Sequence, residues 1–302
     1  MRNRISLLLV AILSLVAFHS EGSSQGEQKV KPSTGPGPVA VLASTSVTAV
    51  TAAAQGTTMT WTIEGETREA LVFAPAPERR GDKHPLVFAF HGHGGNMQGT
   101  SQLMHIHTLW PKAIVVYPQG VNRPSPVDPN GTKPGWQVEA NQANINNADL
   151  KFFDAMVARM HGEYSIDDAR IYVTGFSNGA IFSYLLWAER GKLLAAIGDC
   201  AGRLWQGEHL TQPRPVLVIA GRADTTDPFA LQEKSIKIAR RIDNASNRGQ
   251  VCGQYCTFYP STTHTPVKTF IHPGAHVYPA WAPGEIVTFF KAHKRTYLSS
   301  EF

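Results

Sequence analysis

Three features are scarce in this 302-residue sequence: cysteine, charged residues and long apolar runs. Only 17% of the residues are charged, the formal net charge is +5, and no run of five or more Lys or Arg residues occurs. A nucleic-acid-binding surface is therefore not expected. The hydrophobic fraction of 42% is that of an ordinary globular protein, and the length suits one domain with a sizeable core.

One apolar run of some length stands at the N-terminus. The basic start of residues 1–4 is followed by 14 mainly apolar residues, 5–18, whereas a membrane-spanning helix needs about 20. This pattern predicts a secretory signal peptide over residues 1–22, with an uncleaved anchor as the alternative. We therefore expect a secreted protein, extracellular or periplasmic, with no stable membrane span after signal removal. Residues 23–56, rich in Ser, Gly, Pro, Thr and Ala, predict a flexible leader.

The three cysteines are Cys200, Cys252 and Cys256. Export permits a disulfide, so Cys252 and Cys256 either close a small loop or remain as two thiols. Cys200 follows a predicted strand, which favours a small buried apolar residue. The C-x3-C spacing without a second pair or matching histidines does not indicate a zinc site.

From residue 57 to 302 the pattern predicts one catalytic α/β domain. Residues 60–63 and 70–73 resemble an antiparallel hairpin. Short, continuously apolar strands are predicted at 86–90, 113–117, 170–174, 194–197, 215–220 and 267–271. Helical stretches are predicted near 148–162, 178–190, 229–243 and 284–294. Such alternation indicates a mostly parallel central sheet with helices on both faces.

The segment Gly175-Phe176-Ser177-Asn178-Gly179 matches the pattern G-x-S-x-G. The match alone is weak, because residues 22–26 fit the same pattern around Ser24. Ser24 has no strand before it and no helix after it, whereas Ser177 lies between a predicted strand and a predicted helix. A sharp strand-to-helix turn exposes the serine oxygen, so we expect Ser177 to be a nucleophile.

A serine nucleophile needs an oriented base, and in this arrangement the acid and then the histidine follow later in the chain. Asp224 lies in the first turn after strand 215–220 and is the expected acid, while Asp227, before a proline, suits a helix start. His276 follows the flexible Gly274-Ala275 and is the expected base. His272, at a strand end, suits a structural hydrogen bond.

The Gly-rich loop after strand 86–90 predicts half of an oxyanion hole. We expect the backbone N–H of His93, with Gly94 as the next candidate, to act together with the N–H of Asn178. The pair His91-x-His93 also permits a metal site, but no acid and further histidine follow it at a matching spacing. Neither a metal nor another cofactor is expected.

These motifs together resemble the secreted polyhydroxybutyrate-depolymerase and feruloyl-esterase group of α/β hydrolases. They are H-G-H-G-G-N, G-F-S-N-G-A, G-R-A-D-T-T-D-P and G-A-H-V-Y-P-A-W. The resemblance covers about residues 58–295 and implies the α/β-hydrolase fold and ester hydrolysis without a cofactor. It also implies that Ser177, Asp224 and His276 form the catalytic triad.

Three departures from the group leave the substrate open. His93 stands where many members have Cys, no linker or polymer-binding module follows, and Phe176 and Ala180 replace the usual neighbours of the serine. A small or oligosaccharide-linked ester, carrying a feruloyl, acetyl or short hydroxyacyl group, is therefore favoured over insoluble polymer.

We expect an open cleft without a large cap domain, with Trp136 either walling the acyl pocket or packing as an ordinary loop residue. Trp136 lies in the long segment from Pro118 to Asn147, and a loop of that length in a compact domain is usually functional. The alternatives in function are a peptidase or thioesterase on the same fold and a non-catalytic binding protein.

Overall fold

The computed structural model describes residues 56–75, 82–205 and 209–295. The strands in these ranges are β1 Thr57–Ile63, β2 Glu66–Phe73, β3 His84–Phe90, β4 Ile114–Pro118, β5 Val121–Asn122, β6 Pro134–Gly135, β7 Ile166–Phe176, β8 Ala196–Cys200, β9 Val216–Gly221, β10 Gln250–Gly253, β11 Cys256–Tyr259 and β12 Val267–His272. The α-helices are α1 Met97–Met104, α2 Ile106–Leu109, α3 Ala148–Glu163, α4 Asn178–Arg190, α5 Phe229–Ile242 and α6 Ala282–Ala292. The predicted signal peptide, and the predicted leader apart from Gly56, lie outside the described residues.

Ten of these strands form one sheet in the order β1-β2-β4-β3-β7-β8-β9-β12-β11-β10. The six central strands, β4 to β12 in that order, run parallel, and two antiparallel strands are added at each edge. The expected hairpin is β1–β2, whose turn residues Glu64 and Gly65 both have positive φ, 51° and 82°. Two consecutive turn residues with positive φ give a tight turn whose twist matches that of the two paired strands.

Helices cover both faces of the sheet, which explains why β3, β4 and β9 are apolar at nearly every position. Along β3, Phe88 and Phe90 point into a core shared with α3, α4 and α5, while Val87 and Ala89 point into a core shared with α1, α2 and α6. Successive side chains of a strand face opposite sides, so a strand between two cores needs apolar residues at every position. The prediction of an α/β-hydrolase fold is confirmed.

The segment between β8 and β9 decides whether a cap domain covers the site. β8 ends at Cys200 and β9 begins at Val216, and the described residues between them contain neither helix nor strand. A connection of this length is too short for an inserted domain, as expected. Among the described residues, no helix has both the length and the apolar character needed to cross a membrane.

The cysteine arrangement, left open by the sequence, is resolved as one bridge and one buried thiol. Cys252 and Cys256 are joined by a disulfide across the β10–β11 hairpin, with their Cα atoms 5.1 Å apart. Cys200 is free and fully buried, and burial raises the pKa of its thiol well above the ordinary value. Its role is therefore packing, as predicted.

The long loop between β4 and α3 is anchored through a buried carboxylate. Asp149, at the start of α3, accepts hydrogen bonds from the Arg123 Nε (3.3 Å) and from the Gln137 N–H (2.8 Å). Arg68 of β2 completes the cluster with an Nη1–Oδ1 distance of 2.8 Å. Side chains that pair at both ends of the loop hold it in one conformation against the domain.

A second buried carboxyl makes the stability of the domain depend on pH. Asp243, just after α5, is fully buried, and burial raises its pKa from 3.8 to about 8. The folded chain therefore holds a proton on Asp243 that the unfolded chain releases at a lower pH. This contribution to stability is fully present below pH 4 and is lost as the pH rises towards 8.

We therefore expect Asp243→Asn to flatten the pH dependence of unfolding. Asn keeps an oxygen to accept the Arg214 N–H, now 2.8 Å from the Asp243 Oδ1, but loses no proton. Between pH 4 and 8, the difference in unfolding free energy between variant and parent should grow by up to about 1.4 kcal/mol per pH unit. Urea midpoints at pH 5 and pH 8 measure it. The exposed Asp82→Asn is the control, and parallel curves for parent and Asp243→Asn would contradict the assignment.

Candidate active site

The turn between β7 and α4 holds Ser177 in a strained conformation. Its φ of 56° lies in the left-handed region, which a non-glycine residue enters only under constraint. The constraint comes from close backbone packing. A Cβ added to Gly175 would lie 2.2 Å from the carbonyl carbon of Gly179, and one added to Gly179 would lie 2.3 Å from the Phe90 oxygen. Only glycines at both positions permit this turn, which aims Ser177 beyond the end of the sheet.

A continuous chain of hydrogen bonds joins Ser177, His276 and Asp224. The Ser177 Oγ lies 2.8 Å from the Nε2 of His276, and the His276 Nδ1 lies 2.8 Å from the Oδ2 of Asp224. Because a carboxylate only accepts hydrogen bonds, Nδ1 carries the ring proton in this arrangement and Nε2 accepts from the serine hydroxyl. The three side chains follow β7, β9 and β12, whose carboxyl ends lie at one edge of the sheet.

The carboxylate of Asp224 is fixed by four hydrogen bonds. Its Oδ1 accepts the backbone N–H groups of Thr226 and Asp227, both at 2.9 Å. Its Oδ2, besides His276, accepts the Nε2 of Gln232 at 2.9 Å. Asp224 and Gln232 are both buried. Four donors around one buried carboxylate fix its orientation.

The two residues that competed for these positions have other partners. Asp227 forms an ion pair with Arg203, and within the described ranges it does not contact a histidine. It does not cap α5 through its side chain, as a helix start would suggest; Pro228 precedes the helix without a side-chain cap. His272 accepts the Gly274 N–H through Nδ1 at 3.1 Å, and burial lowers its pKa. His272 therefore has the structural hydrogen bond that its position predicted.

The Gly-rich loop after β3 lies against Ser177. A Cβ added to Gly92 would lie 3.3 Å from the Cβ of Ser177. The Gly94 N–H donates to the Pro134 oxygen at 2.7 Å and the Gly95 N–H to the Gly92 oxygen at 2.9 Å. Within the described ranges, no acceptor is recorded for the His93 N–H. This loop therefore offers the N–H of residue 93, and not that of 94, to a ligand.

The backbone N–H of Asn178, at the start of α4, is likewise available to a ligand. First-turn N–H groups have no acceptor within their own helix, and none is recorded for this one in the described part of the chain. The side chain of Asn178 points elsewhere. Its Oδ1 accepts the Trp136 N–H at 2.7 Å and its Nδ2 donates to the Trp136 oxygen at 3.1 Å. Asn178 thus holds the long loop beside Ser177.

The two histidines of the loop are held by separate partners. His91 donates from Nδ1 to the Gly92 oxygen (2.8 Å) and accepts the Gly120 N–H at Nε2 (2.8 Å), and burial lowers its pKa to about 4. The ring is therefore neutral at pH 7, and both its nitrogens are engaged. The His93 Nε2 lies 3.1 Å from the Oδ2 of Asp128. Among the described residues, no cluster of three metal-ligating side chains occurs.

The prediction that Trp136 walls the acyl pocket is wrong. The side chain is 1% exposed, and its ring stacks on Phe182 with centroids 5.4 Å apart. Its Nε1 donates to the His91 oxygen at 3.0 Å. A ring packed inside the core presents no surface to a substrate, so the alternative of ordinary loop packing holds. The loop still borders the site, through its backbone rather than through this side chain.

Two supporting residues were not predicted from the sequence. Gln232 lies on α5, eight residues after Asp224, and the only available signal was its position one helical turn after the Pro228 start. The side chain of Asn178 occupies the variable position of G-x-S-x-G, where the pattern carries no information. The first contact is local but needs the turn between Asp224 and α5 to fold the chain back, and the second joins segments 42 residues apart.

The sequence is similar to known esterases. The profile of the phospholipase/carboxylesterase family matches residues 76–255, more than half of the chain. A probable feruloyl esterase C from Aspergillus oryzae is 29% identical over 204 residues, which are 67% of this chain and 69% of the relative. The family match includes Ser177 and Asp224 and ends before His276.

Solved structures of esterases share the fold. An acetyl xylan esterase from Aspergillus awamori superposes with a TM-score of 0.59 at 15% identity, over 78% of this chain and 99% of that chain. A thermostable esterase superposes with a TM-score of 0.58 at 18% identity, over 80% of this chain and 64%, less than two thirds, of that chain. With the sequence matches, this fold and the family profile support a carboxylesterase activity. The chain belongs to the phospholipase/carboxylesterase family.

Proposed function

We propose that this chain is a secreted serine esterase that hydrolyses feruloyl, acetyl or short hydroxyacyl esters through an acyl-enzyme. The observation that carries the proposal is the unbroken relay from the Ser177 Oγ through His276 to Asp224, with two bonds of 2.8 Å. A nucleophile, an oriented base and a buried acid in this order are the requirements of acyl transfer. Secretion is supported by the basic start and apolar run of residues 1–18 and by the Cys252–Cys256 disulfide.

In the first step, Ser177 attacks the ester carbonyl while its proton passes to the Nε2 of His276. The tetrahedral oxyanion is stabilised by the N–H groups of His93 and Asn178, both without a recorded acceptor in the described chain. His276 then gives the proton to the leaving alcohol as the carbon–oxygen bond breaks. In the second step, His276 takes a proton from water as the water oxygen attacks the carbonyl of the acyl-enzyme. The bond between the acyl carbon and the Ser177 Oγ then breaks, His276 returns the proton to that Oγ, and the acid is released.

The substrate classes follow the names of similar proteins. The relative from Aspergillus oryzae is a probable feruloyl esterase, and one superposed structure is an acetyl xylan esterase. Both names describe esters of small acids. The absence of a cap between β8 and β9, in the part of that segment that is described, is consistent with a cleft open to an ester carried on a larger molecule.

Covalent trapping tests the proposal directly. A fluorophosphonate should add its phosphonyl group to the parent in one equivalent, and peptide mass spectrometry should locate the adduct on Ser177. In parallel, p-nitrophenyl acetate and butyrate should be hydrolysed faster than the matching p-nitroanilides. An adduct on another residue would refute the site. Preference for the anilides would favour a peptidase, and a folded, unlabelled and inert chain would favour a binding protein.

Gln232 is expected to matter for catalysis although it touches neither substrate nor His276. Its Nε2 donates to the Asp224 Oδ2 at 2.9 Å and to the Asp227 oxygen at 2.5 Å. Gln232→Leu keeps the volume but removes both bonds. Loss of one charge-assisted bond, about 1.5–3 kcal/mol, should lower kcat roughly 10- to 100-fold with KM unchanged.

Steady-state kinetics on p-nitrophenyl butyrate measure this effect. Lys234→Leu, at an exposed position of the same helix, is the control and should match the parent. A rise in KM at constant kcat in Gln232→Leu would mean that this residue supports substrate binding rather than the orientation of Asp224.

A further inference from the structure

The β10–β11 hairpin forms a rigid, aromatic corner at one edge of the sheet. The Cys252–Cys256 disulfide closes its turn, and Tyr255 lies in that turn with a positive φ of 61°. The Tyr255 carbonyl accepts the Ile271 N–H at 2.9 Å, which ties the turn to β12. The Tyr255 side chain is 42% exposed, so a constrained backbone presents this ring to solvent.

Two cavities meet at Tyr255. One, of about 400 Å³, is lined by Arg222, Tyr255 and Pro273 among others. The second, of about 350 Å³, is lined by Tyr255, Trp281 and the ion pair of Lys268 with Glu285. Gly253 and Tyr255 belong to both linings, so the cavities adjoin across the hairpin. Each has the size of a small-ligand pocket, roughly 300–1,000 Å³.

The lining combines aromatic faces with fixed polar groups. Trp281 is 39% exposed, and its ring packs on Phe270 with centroids 5.2 Å apart, which holds it in place. The Lys268 Nζ lies 3.0 Å from the Glu285 Oε2, so this pair presents donors and acceptors without net charge. A sugar ring has an apolar C–H face and a rim of hydroxyls that both donate and accept. In the second cavity, aromatic faces beside an ion pair without net charge match that chemistry, and in the first cavity Arg222 adds donors for hydroxyl groups.

The first cavity borders the loops that carry the triad. Arg222 lies two residues before Asp224, and its N–H donates to the His272 oxygen at 2.8 Å. Pro273 lies three residues before His276. A chain bound at Tyr255 therefore contacts residues of the same two segments that carry Asp224 and His276.

We propose that these two cavities bind consecutive sugar rings of a neutral polysaccharide whose ester is cleaved at Ser177, with Tyr255 and Trp281 as the stacking platforms. This inference rests on the proposed function, because it names the carrier of the ester. Binding of the sugar chain itself involves no chemistry at Ser177. The two proposals can therefore fail separately.

Binding is measured with Ser177→Ala as the parent background, by calorimetry with unesterified xylohexaose as the probe. We expect saturable binding that weakens at least tenfold in Tyr255→Ala and in Trp281→Ala, and that Tyr255→Phe restores. Leu103→Ala, an exposed apolar residue on α1, is the control and should bind as the parent does. Thermal unfolding of each variant verifies that it is folded. Tyr255→Ala remains informative even if loss of the Trp281–Phe270 packing destabilises Trp281→Ala.

Activity is measured with the serine restored. Both aromatic variants should hydrolyse p-nitrophenyl acetate within twofold of the parent but lose at least tenfold in kcat/KM on acetylated xylan. Absence of xylohexaose binding, or equal binding and polymer hydrolysis without the two rings, would overturn the inference. So would binding to poly(3-hydroxybutyrate) in place of xylohexaose. A folded parent that binds xylohexaose but leaves p-nitrophenyl acetate intact would refute the esterase proposal and leave the sugar site standing.

Discussion

Ser177→Ala should lower kcat on p-nitrophenyl acetate and butyrate by about 10⁴- to 10⁶-fold, because it removes the oxygen that forms the acyl-enzyme in the proposed mechanism. The residual rate should still exceed the uncatalysed one, since the N–H groups beside the site and substrate binding remain. The fold should be unaffected. Ser177 donates its backbone N–H to the Cys200 oxygen at 2.9 Å, and alanine retains that bond.

The chain itself offers a matched control for this measurement. Ser24 occupies the same G-x-S-x-G pattern but lies outside the described residues, and Ser24→Ala should keep the activity of the parent. When both variants and the parent are purified separately by the same procedure, a difference in activity between them cannot come from contaminating host esterases. If Ser177→Ala turns over both esters at the parent rate, another residue is the nucleophile and the mechanism proposed above fails.

Asp224→Asn should lower kcat by about 10⁴-fold, whereas Asp227→Asn should remain close to the parent. The carboxylate of Asp224 accepts the proton-bearing Nδ1 of His276 at 2.8 Å. An asparagine amide that donates to Nδ1 would place the ring proton on Nε2, which then no longer accepts from the Ser177 hydroxyl. Asp227 is paired with Arg203 and does not contact the ring.

The two aspartate variants are compared by kcat on p-nitrophenyl butyrate and by thermal unfolding. Both aspartates are buried and lie three residues apart, so their environments are similarly shielded from solvent. They differ in that only Asp224 contacts His276. A larger loss of kcat in Asp227→Asn than in Asp224→Asn, in folded proteins, would reverse the assignment of the acid.

The central sheet, and the proximity of Ser177, His276 and Asp224, could be predicted because their signals are local. A parallel strand buried between two helical layers is largely apolar, so β3, β4, β9 and residues 171–173 of β7 could be recognised as short apolar runs. Ser177, Asp224 and His276 each lie within a few residues of a strand end. The parallel order of the sheet then brings these ends together without any knowledge of side-chain contacts.

The supporting contacts could not be predicted because they depend on packing between distant segments. Trp136 is 42 residues from Asn178, and the two backbone bonds to that amide decide that its loop turns inward and its ring is buried. A tryptophan in a Gly- and Pro-rich loop has the same local sequence whether it faces a cleft or the core. For the same reason, the sequence could not show whether the N–H of residue 93 or that of residue 94 is available to a ligand. That depends on Pro134, whose oxygen accepts the Gly94 N–H.

Strand order also bears on how the enzyme folds. His276 lies 99 residues from Ser177 and 52 from Asp224, and the three follow strands that meet only when β7, β8, β9 and β12 are paired. Pairing of strands so far apart in the sequence is slow compared with helix formation, which takes about a microsecond. Recovery of activity during refolding should therefore lag behind recovery of helical circular dichroism. The rate at which activity returns therefore reports when pairing of these central strands is completed.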